Sequence, residues 1–349
     1  MKAMVLMAPN QPFKMMDVPD PSPSSGEAVA KVISCGAGLT IQHIRAGRTK
    51  VDYPRIIGHE ITAEIVEVGS DVLNLKVGDP VTAYYYLTCG ECRWCMGGRE
   101  TLCDNFLGYV GKSIDGGYAE FIKLPAKNFL KIPNNLDYKK YAAELGVITD
   151  AVATPIKITK KTRMQSGEVV AIIGAGGGLG LHMVMAALWA DTKVIAIDIS
   201  DKKLNACNKL GVVGTINPNK IGLTEGLLEL TSGKGADVII DFVSTHRTLG
   251  DSIRALGKGG RLAILGGGGV AKPTTASGEW IKSREIEVLG SKYATKEEVL
   301  FALDVVSRGE IWPKITETCL LKDVEAMHQR IESGLITGRA SIIIDPTLG

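Results

Sequence analysis

The sequence predicts an α/β protein with a β-rich domain first and a doubly wound parallel-sheet domain second. Three observations predict this fold class. Residues 168–200 have the pattern of a strand, a glycine turn, a helix and a second strand. From about residue 150, strand-like apolar runs alternate with helix-compatible segments, whereas the first hundred-odd residues show no such alternation. With 349 residues, the chain is long enough for two domains.

The first domain, which we place at residues 1–150, is predicted to be an irregular antiparallel structure. Strand-like runs rich in Val, Ile, Thr and Tyr lie at residues 28–34, 62–68 and 80–87. Turn signals that contain Pro or Gly separate them at residues 20–23, 68–71 and 77–80. A cysteine-rich lobe occupies about residues 87–105.

The second domain is placed at residues 151–293. Its predicted strands are Val169–Ile173, Lys193–Ile197, 237–243 and 261–265, with helix-compatible segments between them. The tail, residues 294–349, contains two predicted helices, Lys296–Ser307 and 323–333, and a last strand at 340–344.

The glycine turn of the second domain predicts a dinucleotide site. Glycines allow the backbone to approach a pyrophosphate, whose charge is met by the N–H groups and dipole at the start of the helix. Asp198 ends the second strand, where it can accept hydrogen bonds from a ribose 2′-OH and would repel a 2′-phosphate. NAD is therefore predicted over NADP. The candidate cofactor-binding residues here are Gly174, Gly176, Gly177, Gly178, Leu179, Gly180, Asp198 and Lys203.

Two alternatives to a nucleotide site remain open from the residues alone. Residues 169–190 contain no charged side chain and are long enough to span a membrane, but glycines crowd one end and basic flanks are missing. The turn could also bind nothing, because its third glycine, Gly180, lies one place later than in the plain fingerprint. Both strands and Asp198 favour the nucleotide site.

Composition and charge exclude several classes of partner. The chain is 45% hydrophobic and 22% charged, which is typical of globular proteins. A formal net charge of +2 gives no electrostatic reason to expect nucleic acid or an anionic membrane as a partner. The N-terminus has no apolar segment of the kind found in signal peptides, so we expect a cytoplasmic protein.

A cysteine cluster predicts a structural zinc site. Four of the seven cysteines fall within one short stretch: Cys89, Cys92, Cys95 and Cys103. Four thiolates can surround one tetrahedral ion and leave no open coordination position, so the site would be structural rather than catalytic. An iron–sulfur cluster is the alternative, but the sequence shows no redox partner site.

Taken together, these motifs resemble the medium-chain, zinc-containing alcohol dehydrogenase superfamily over essentially the whole chain. The resemblance implies a GroES-like catalytic domain, a Rossmann domain after it, and a C-terminal segment, residues 294–349, that returns to the catalytic domain. It also implies that Arg339 contacts the cofactor pyrophosphate. The motifs that carry it are Gly58-His59-Glu60, Val77-Gly78-Asp79, the cysteine lobe, the DGGYAE segment at 115–120, the glycine turn, Lys258-Gly259-Gly260 and Gly338-Arg339-Ala340.

The catalytic site departs from the pattern of the superfamily. The resemblance implies a catalytic zinc held by a Cys, the His of the Gly-His-Glu motif and a third Cys or Asp. His59 is present, Asp150 matches the third position, and Glu60 is a further candidate ligand, but the usual Cys is Gly38. An Asp that usually supports the site is replaced by Ile41. The sequence leaves open whether a second zinc binds here or whether the site is metal-free.

Four candidate catalytic residues follow from this resemblance: Thr40, His43, His59 and Asp150. Thr40 occupies the hydroxyl position of the proton shuttle, and His43 occupies its relay position. With zinc, His59 and Asp150 would hold the metal that polarises the substrate oxygen. Without zinc, Thr40 and a protonated His59 or His43 would have to supply the hydrogen bonds.

Three functions remain compatible with the sequence. The first is hydride transfer between NAD(H) and an alcohol or carbonyl compound. Residues 147–155 also resemble hydroxyacyl-CoA-type dehydrogenases, so a cyclic or acyl-CoA hydroxy compound is included. The second is zinc-independent reduction of an activated C=C bond, and the third is a non-catalytic cofactor-binding protein. We expect a small-molecule substrate and a homodimer or homotetramer.

Overall fold

The computed structural model describes residues 1–267, 278–345 and 347. Contacts within the chain divide it into two compact units. The first unit comprises Met1–Ala153 together with Ala294–Gly349, so the tail belongs to it. The second unit is Thr154–Tyr293.

The described strands are β1 (Lys2–Leu6), β2 (Lys14–Asp17), β3 (Glu27–Ala37), β4 (Arg55–Ile56), β5 (Ile61–Val68), β6 (Pro80–Ala83), β7 (Tyr86–Leu87), β8 (Gly108–Tyr109), β9 (Phe121–Pro125), β10 (Phe129–Lys131), β11 (Val169–Ile173), β12 (Lys193–Ile197), β13 (Gly214–Ile216), β14 (Ala236–Asp241), β15 (Leu256–Ile264), β16 (Glu287–Gly290), β17 (Ile315–Leu320) and β18 (Arg339–Ile343). The described α-helices are α1 (Leu39–Arg45), α2 (Arg93–Met96), α3 (Ala142–Val147), α4 (Ala153–Lys161), α5 (Gly178–Trp189), α6 (Asp201–Asn208), α7 (Leu223–Leu230), α8 (His246–Ala255), α9 (Gly278–Arg284), α10 (Lys296–Ser307) and α11 (Val324–Glu332). A π-helical turn, Ile148–Val152, joins α3 to α4.

The first unit is built on a seven-stranded sheet in the order β10-β6-β5-β3-β18-β17, with β9 also paired to β3. The remaining strands of this unit form two smaller sheets, β2-β1-β4 and β7-β8. Strand β3 is central, since its buried side chains face the core along most of its length. The predicted run at 80–87 forms two strands rather than one, because Tyr84 and Tyr85 leave the ladder between β6 and β7.

Three strand ends meet at one place in this sheet. Strand β3 pairs antiparallel with β5 and with β18, so the end of β3 lies beside the beginnings of both partners. Ala37 is opposite Ala340, and Cys35 is opposite Ile61. The residues that follow β3 are therefore neighbours of those that precede β5 and of Arg339, which begins β18.

The second unit is a six-stranded parallel sheet in the order β13-β12-β11-β14-β15-β16. Counted from β11, this is the order 3-2-1-4-5-6, the doubly wound arrangement that carries a ligand at the carboxyl end of its central strands. The order reverses between β11 and β14, and the glycine turn follows β11 there. Apolar side chains from the strands and from α7 and α8 form its core.

The uncharged run at 169–190 is divided between β11, the glycine turn and α5. Within the part of the chain that the structure describes, no helix is long and apolar enough to cross a membrane.

Candidate functional site

The glycine turn after β11 has the backbone geometry that a pyrophosphate site requires. Gly174 adopts φ 78°, in the left-handed region that favours glycine. A Cβ on Gly180 would collide with the carbonyl oxygen of Gly174 and lie 2.8 Å from Cα of Ala175. Gly180, the late third glycine, therefore allows α5 to pack closely against the turn.

Helix α5 begins without a side-chain cap, which leaves its first N–H groups to a ligand. Its N-cap is Gly177, with an extended backbone and no side-chain hydrogen bond, and Gly178 and Leu179 form the first turn. A Cβ on Gly176 would lie 2.9 Å from Cγ of Lys203, so the stem of Lys203 packs directly on the turn. The residues present thus fit a dinucleotide phosphate group, held by oriented N–H groups and the helix dipole.

Asp198 lies immediately after β12 and is bonded to the glycine turn. Its Oδ2 accepts a hydrogen bond from the N–H of Gly176 at 3.0 Å, and its Oδ1 accepts one from the N–H of Ser200 at 3.1 Å. The side chain is buried. A carboxylate has about four acceptor sites, so each oxygen can accept a further bond from a ribose hydroxyl.

The cysteine lobe brings its four thiols together. The Sγ–Sγ distances are 3.5 Å for Cys103–Cys89, 3.9 Å for Cys89–Cys95 and 4.0 Å for Cys92–Cys103. Tetrahedral zinc with bonds of about 2.3 Å requires its sulfur ligands to be roughly 3.8 Å apart. The backbone N–H of Cys92 also bonds Sγ of Cys89 at 3.4 Å, which stabilises a thiolate. The four residues therefore fit a structural zinc ion.

Helix α1 carries the proposed proton path. Thr40 is exposed on its first turn, and the half-buried His43 lies three residues later on the same side of the helix. Nδ1 of His43 accepts a hydrogen bond from Nε of Arg48 at 2.7 Å, so a neutral imidazole has its proton on Nε2. Burial, followed by the charge of Arg48, lowers the pKa of His43. No motif in the sequence indicates this role for Arg48.

The buried face of α1 is anchored to α11. His328 donates from Nδ1 to Oε1 of Gln42 at 2.8 Å, and Nε2 of His328 accepts from the hydroxyl of Tyr118 at 2.9 Å. Glu332 accepts a hydrogen bond from Gln42 and two from Arg48, each at 2.7 Å. His328, which matched no motif in the sequence, thus has a structural role in positioning α1.

His59, Glu60 and Asp150 are brought together, although they come from two separate segments. One ligand atom of each lies within 4.8 Å of the others, and all three side chains are buried. Asp150 lies on the π-helical turn, a feature often found at functional sites. Burial, followed by the charge of Arg339, lowers the pKa of His59 to about 3. A protonated His59, considered from the sequence as a hydrogen-bond donor, is therefore disfavoured.

Arg339 completes this cluster. Its guanidinium donates to both oxygens of Glu60, with Nε at 3.0 Å from Oε2, and its Nη2 lies 3.1 Å from Oδ2 of Asp150. Only 5% of Arg339 is exposed. The pyrophosphate contact expected for Arg339 stays a prediction, but in this structure two carboxylates engage its guanidinium. Both carboxylates of the candidate metal site are thus already bonded to a cation.

His59 also contacts aromatic side chains. Its ring lies 4.2 Å, centroid to centroid, from Tyr85, which in turn stacks on Tyr109 at 4.6 Å. Sequence reasoning left both tyrosines without a defined role.

Comparison with known proteins assigns the family. The family model "Alcohol dehydrogenase GroES-like domain" matches residues 24–134, and "Zinc-binding dehydrogenase" matches residues 178–308. An alcohol dehydrogenase of Geobacillus stearothermophilus is 33% identical over 97% of this chain and 98% of its own length. The chain belongs to the medium-chain, zinc-type alcohol dehydrogenase superfamily. The predicted family, the α/β fold class and the oxidoreductase class are confirmed.

Two relatives from Sulfurisphaera tokodaii represent different chemistries within this superfamily. An "NAD-dependent alcohol dehydrogenase" is 28% identical over 98% of this chain and 100% of its own length. An "Acryloyl-coenzyme A reductase" is also 28% identical, over 98% of this chain and 99% of its own length. Overall similarity therefore does not separate alcohol oxidation from C=C reduction, and the residues of the site must be used instead.

Proposed function

We propose that this chain transfers a hydride between C4 of NAD(H) and the carbon of an alcohol or carbonyl compound. The main support for this proposal is the position of Asp198. Its carboxylate lies at the end of β12 and accepts a hydrogen bond from the glycine turn. An acid at this place binds the ribose diol of NAD and repels the extra phosphate of NADP. The NAD-dependent relative supports the same cofactor.

In this proposal, different residues bind the cofactor, transfer the proton and stabilise the fold. The N–H groups at the start of α5 would bind the pyrophosphate, while Asp198 would bind the adenosine ribose. In carbonyl reduction, the hydride goes to the carbonyl carbon and a proton must reach its oxygen. The hydroxyl of Thr40 would give that proton, and His43 would replace it from solvent. Zinc in the cysteine lobe, with no open coordination position, would stabilise the fold without taking part in the reaction.

A second candidate function is reduction of a C=C bond conjugated to a carbonyl, as in an enone or an enoyl-CoA. It is favoured by Gly38, which replaces the usual zinc ligand, and by the guanidinium of Arg339 bonded to both remaining carboxylates. Here the hydride goes to the β-carbon and a proton to the α-carbon. This reaction places less charge on the oxygen than reduction of a simple carbonyl group, so it has less need of a metal ion.

The two functions are separated by initial rates with a matched panel of substrates. The panel would contain an alcohol with NAD⁺ and, with NADH, its aldehyde or ketone, an enone and an enoyl-CoA. Alcohol and carbonyl turnover supports the first function, and turnover of only the conjugated substrates supports the second. Tight NADH binding without turnover of any panel member would instead support a non-catalytic cofactor-binding protein.

Assembly as a homodimer or homotetramer and a cytoplasmic location stay predictions. Sedimentation equilibrium would measure the number of chains in the assembly.

A further inference from the structure

The strand register places Arg339 beside Gly38. Ala340 is opposite Ala37 in the antiparallel pair of β18 and β3, so the preceding residue of β18 faces the residue that follows β3. That residue is Gly38, the N-cap of α1. Glu60 also lies beside the end of β3, because its backbone carbonyl oxygen accepts a hydrogen bond from the N–H of Gly36 at 2.7 Å.

The guanidinium fills the space that a side chain at position 38 would need. A Cβ on Gly38 would lie 2.6 Å from both Cζ and Nη1 of Arg339, and 2.8 Å from Nη2. Such distances are far inside normal contact, so a cysteine at position 38 and Arg339 in this conformation exclude each other. A Cβ on Gly36 would likewise collide with the carboxylate of Glu60. Both glycines therefore leave room for the ion-pair cluster.

The charges of the cluster also oppose a metal ion. Glu60 and Asp150 are buried carboxylates, and Arg339 is a buried cation that bonds to both of them. Buried charges are costly unless they are paired, and here the two carboxylates share the one guanidinium. A zinc ion bound to His59 and the two carboxylates would compete for the same oxygens. It would also have to lie beside the guanidinium, which carries charge of the same sign.

We infer that the guanidinium of Arg339 takes the place of the second metal ion in this chain, so that His59, Glu60 and Asp150 form a protein-filled cation site. The inference concerns occupancy of this site and does not depend on which substrate the enzyme uses. Removing Arg339 should convert the cluster into a real metal site, since a nitrogen and two carboxylate groups would then lie within 4.8 Å of one another without a cation.

The test is zinc content per chain, measured with the full-length protein after equilibration with excess zinc and removal of free metal. The wild-type protein should hold only the zinc of the cysteine lobe. Arg339→Ala should hold one more zinc ion, and zinc should raise its melting temperature beyond any effect on wild type. Adding Asp150→Asn to Arg339→Ala should abolish the extra zinc, because one of the ligands is lost.

Two control variants make the result specific. Arg330 is exposed and bonds Glu317 at 2.8 and 2.9 Å, so Arg330→Ala removes an ion-paired arginine elsewhere and should gain no zinc. Arg339→Lys keeps a cation in the cluster and should also gain none. A second zinc in the wild-type protein that is lost in His59→Ala would overturn the inference. This wild-type measurement decides the question even if Arg339→Ala does not fold.

Discussion

The perturbation that most sharply tests the cofactor site is Asp198→Asn. The asparagine has nearly the same shape but no charge, and one carboxylate oxygen becomes an NH₂ group. Because Gly176 and Ser200 both donate N–H groups to the aspartate, at 3.0 and 3.1 Å, one of these two bonds must be lost. A hydrogen bond to a charged group contributes about 1.5–3 kcal/mol, so we expect stability to fall by roughly 2 kcal/mol.

The same change should narrow the preference for NADH over NADPH. The carboxylate would face the 2′-phosphate of NADPH at a few ångströms, where the repulsion in a partly solvated site is about 1–3 kcal/mol. Removing the charge should reduce the ratio of the NADPH dissociation constant to the NADH dissociation constant by roughly 5- to 150-fold, since about 1.4 kcal/mol corresponds to a factor of ten. Most of this change should appear as tighter NADPH binding.

The assay is titration of protein fluorescence with NADH and NADPH at the same ionic strength, together with a thermal melt. Asp201→Asn is the matched control, because Asp201 is an exposed carboxylate nearby that bonds Lys220 and Asn217 at 2.6 and 2.8 Å. It should leave both the cofactor ratio and the melting temperature nearly unchanged. Wild-type protein that binds NADPH as tightly as NADH would refute the argument, as would an unchanged ratio in Asp198→Asn.

Three further predictions concern stability. Cys92→Ser should lose the lobe zinc and lower the melting temperature, measured by metal analysis and calorimetry; full zinc retention would contradict a four-thiolate site. Gly180→Ala forces a Cβ into the backbone of the turn and should lower the free energy of unfolding by about 1–3 kcal/mol, whereas Gly290→Ala, whose Cβ would meet no atom of the described residues within 4 Å, should lower it by less than about 1 kcal/mol. Burial lowers the pKa of His182 to about 4, below an unfolded value of about 6.5. Below about pH 6.5 the unfolded chain takes up a proton on His182 more readily than the folded chain does. The free energy of unfolding should therefore fall as the pH drops, by about 2 kcal/mol at pH 5. His182→Asn should flatten this acid dependence in urea unfolding, and an acid dependence unchanged from wild type would contradict the reasoning.

Much of the fold could be predicted because its signals are local. The helix predicted at Lys296–Ser307 has these bounds in the structure, where Thr295 and Glu298 form a capping box at its start. The predicted boundaries of other helices and strands were less accurate. The helix predicted after the glycine turn begins at Gly178, inside the glycine cluster, although glycine has a low helix propensity. The strand predicted at 261–265 begins at Leu256 in the structure, where Leu256 pairs with Ala236 and a register shift across residues 257–260 separates this pair from the regular ladder that starts at Arg261.

The cluster of buried charged residues around His59 could be predicted only in part. His59, Glu60 and Asp150 were found through their motifs, and the absence of a cysteine at position 38 was evident from the sequence. The contact of Arg339 with these carboxylates could not be predicted, because Arg339 is 279 residues from Glu60 and 189 from Asp150 along the chain. Only the pairing of β18 with β3 brings them together, and no local pattern specifies that register.

The proposed function requires direct hydride transfer from the cofactor to the substrate, which isotope labelling can observe. Turnover with NADH that carries deuterium at C4, using the best substrate of the panel, should place one deuterium on a substrate carbon. In a carbonyl substrate that carbon is the carbonyl carbon, and in a conjugated substrate it is the β-carbon. We expect this label in the product, seen by mass spectrometry and NMR, with no deuterium from NADH released to water. Product without the label, formed from NADH deuterated on each face in turn, would contradict hydride transfer by this protein.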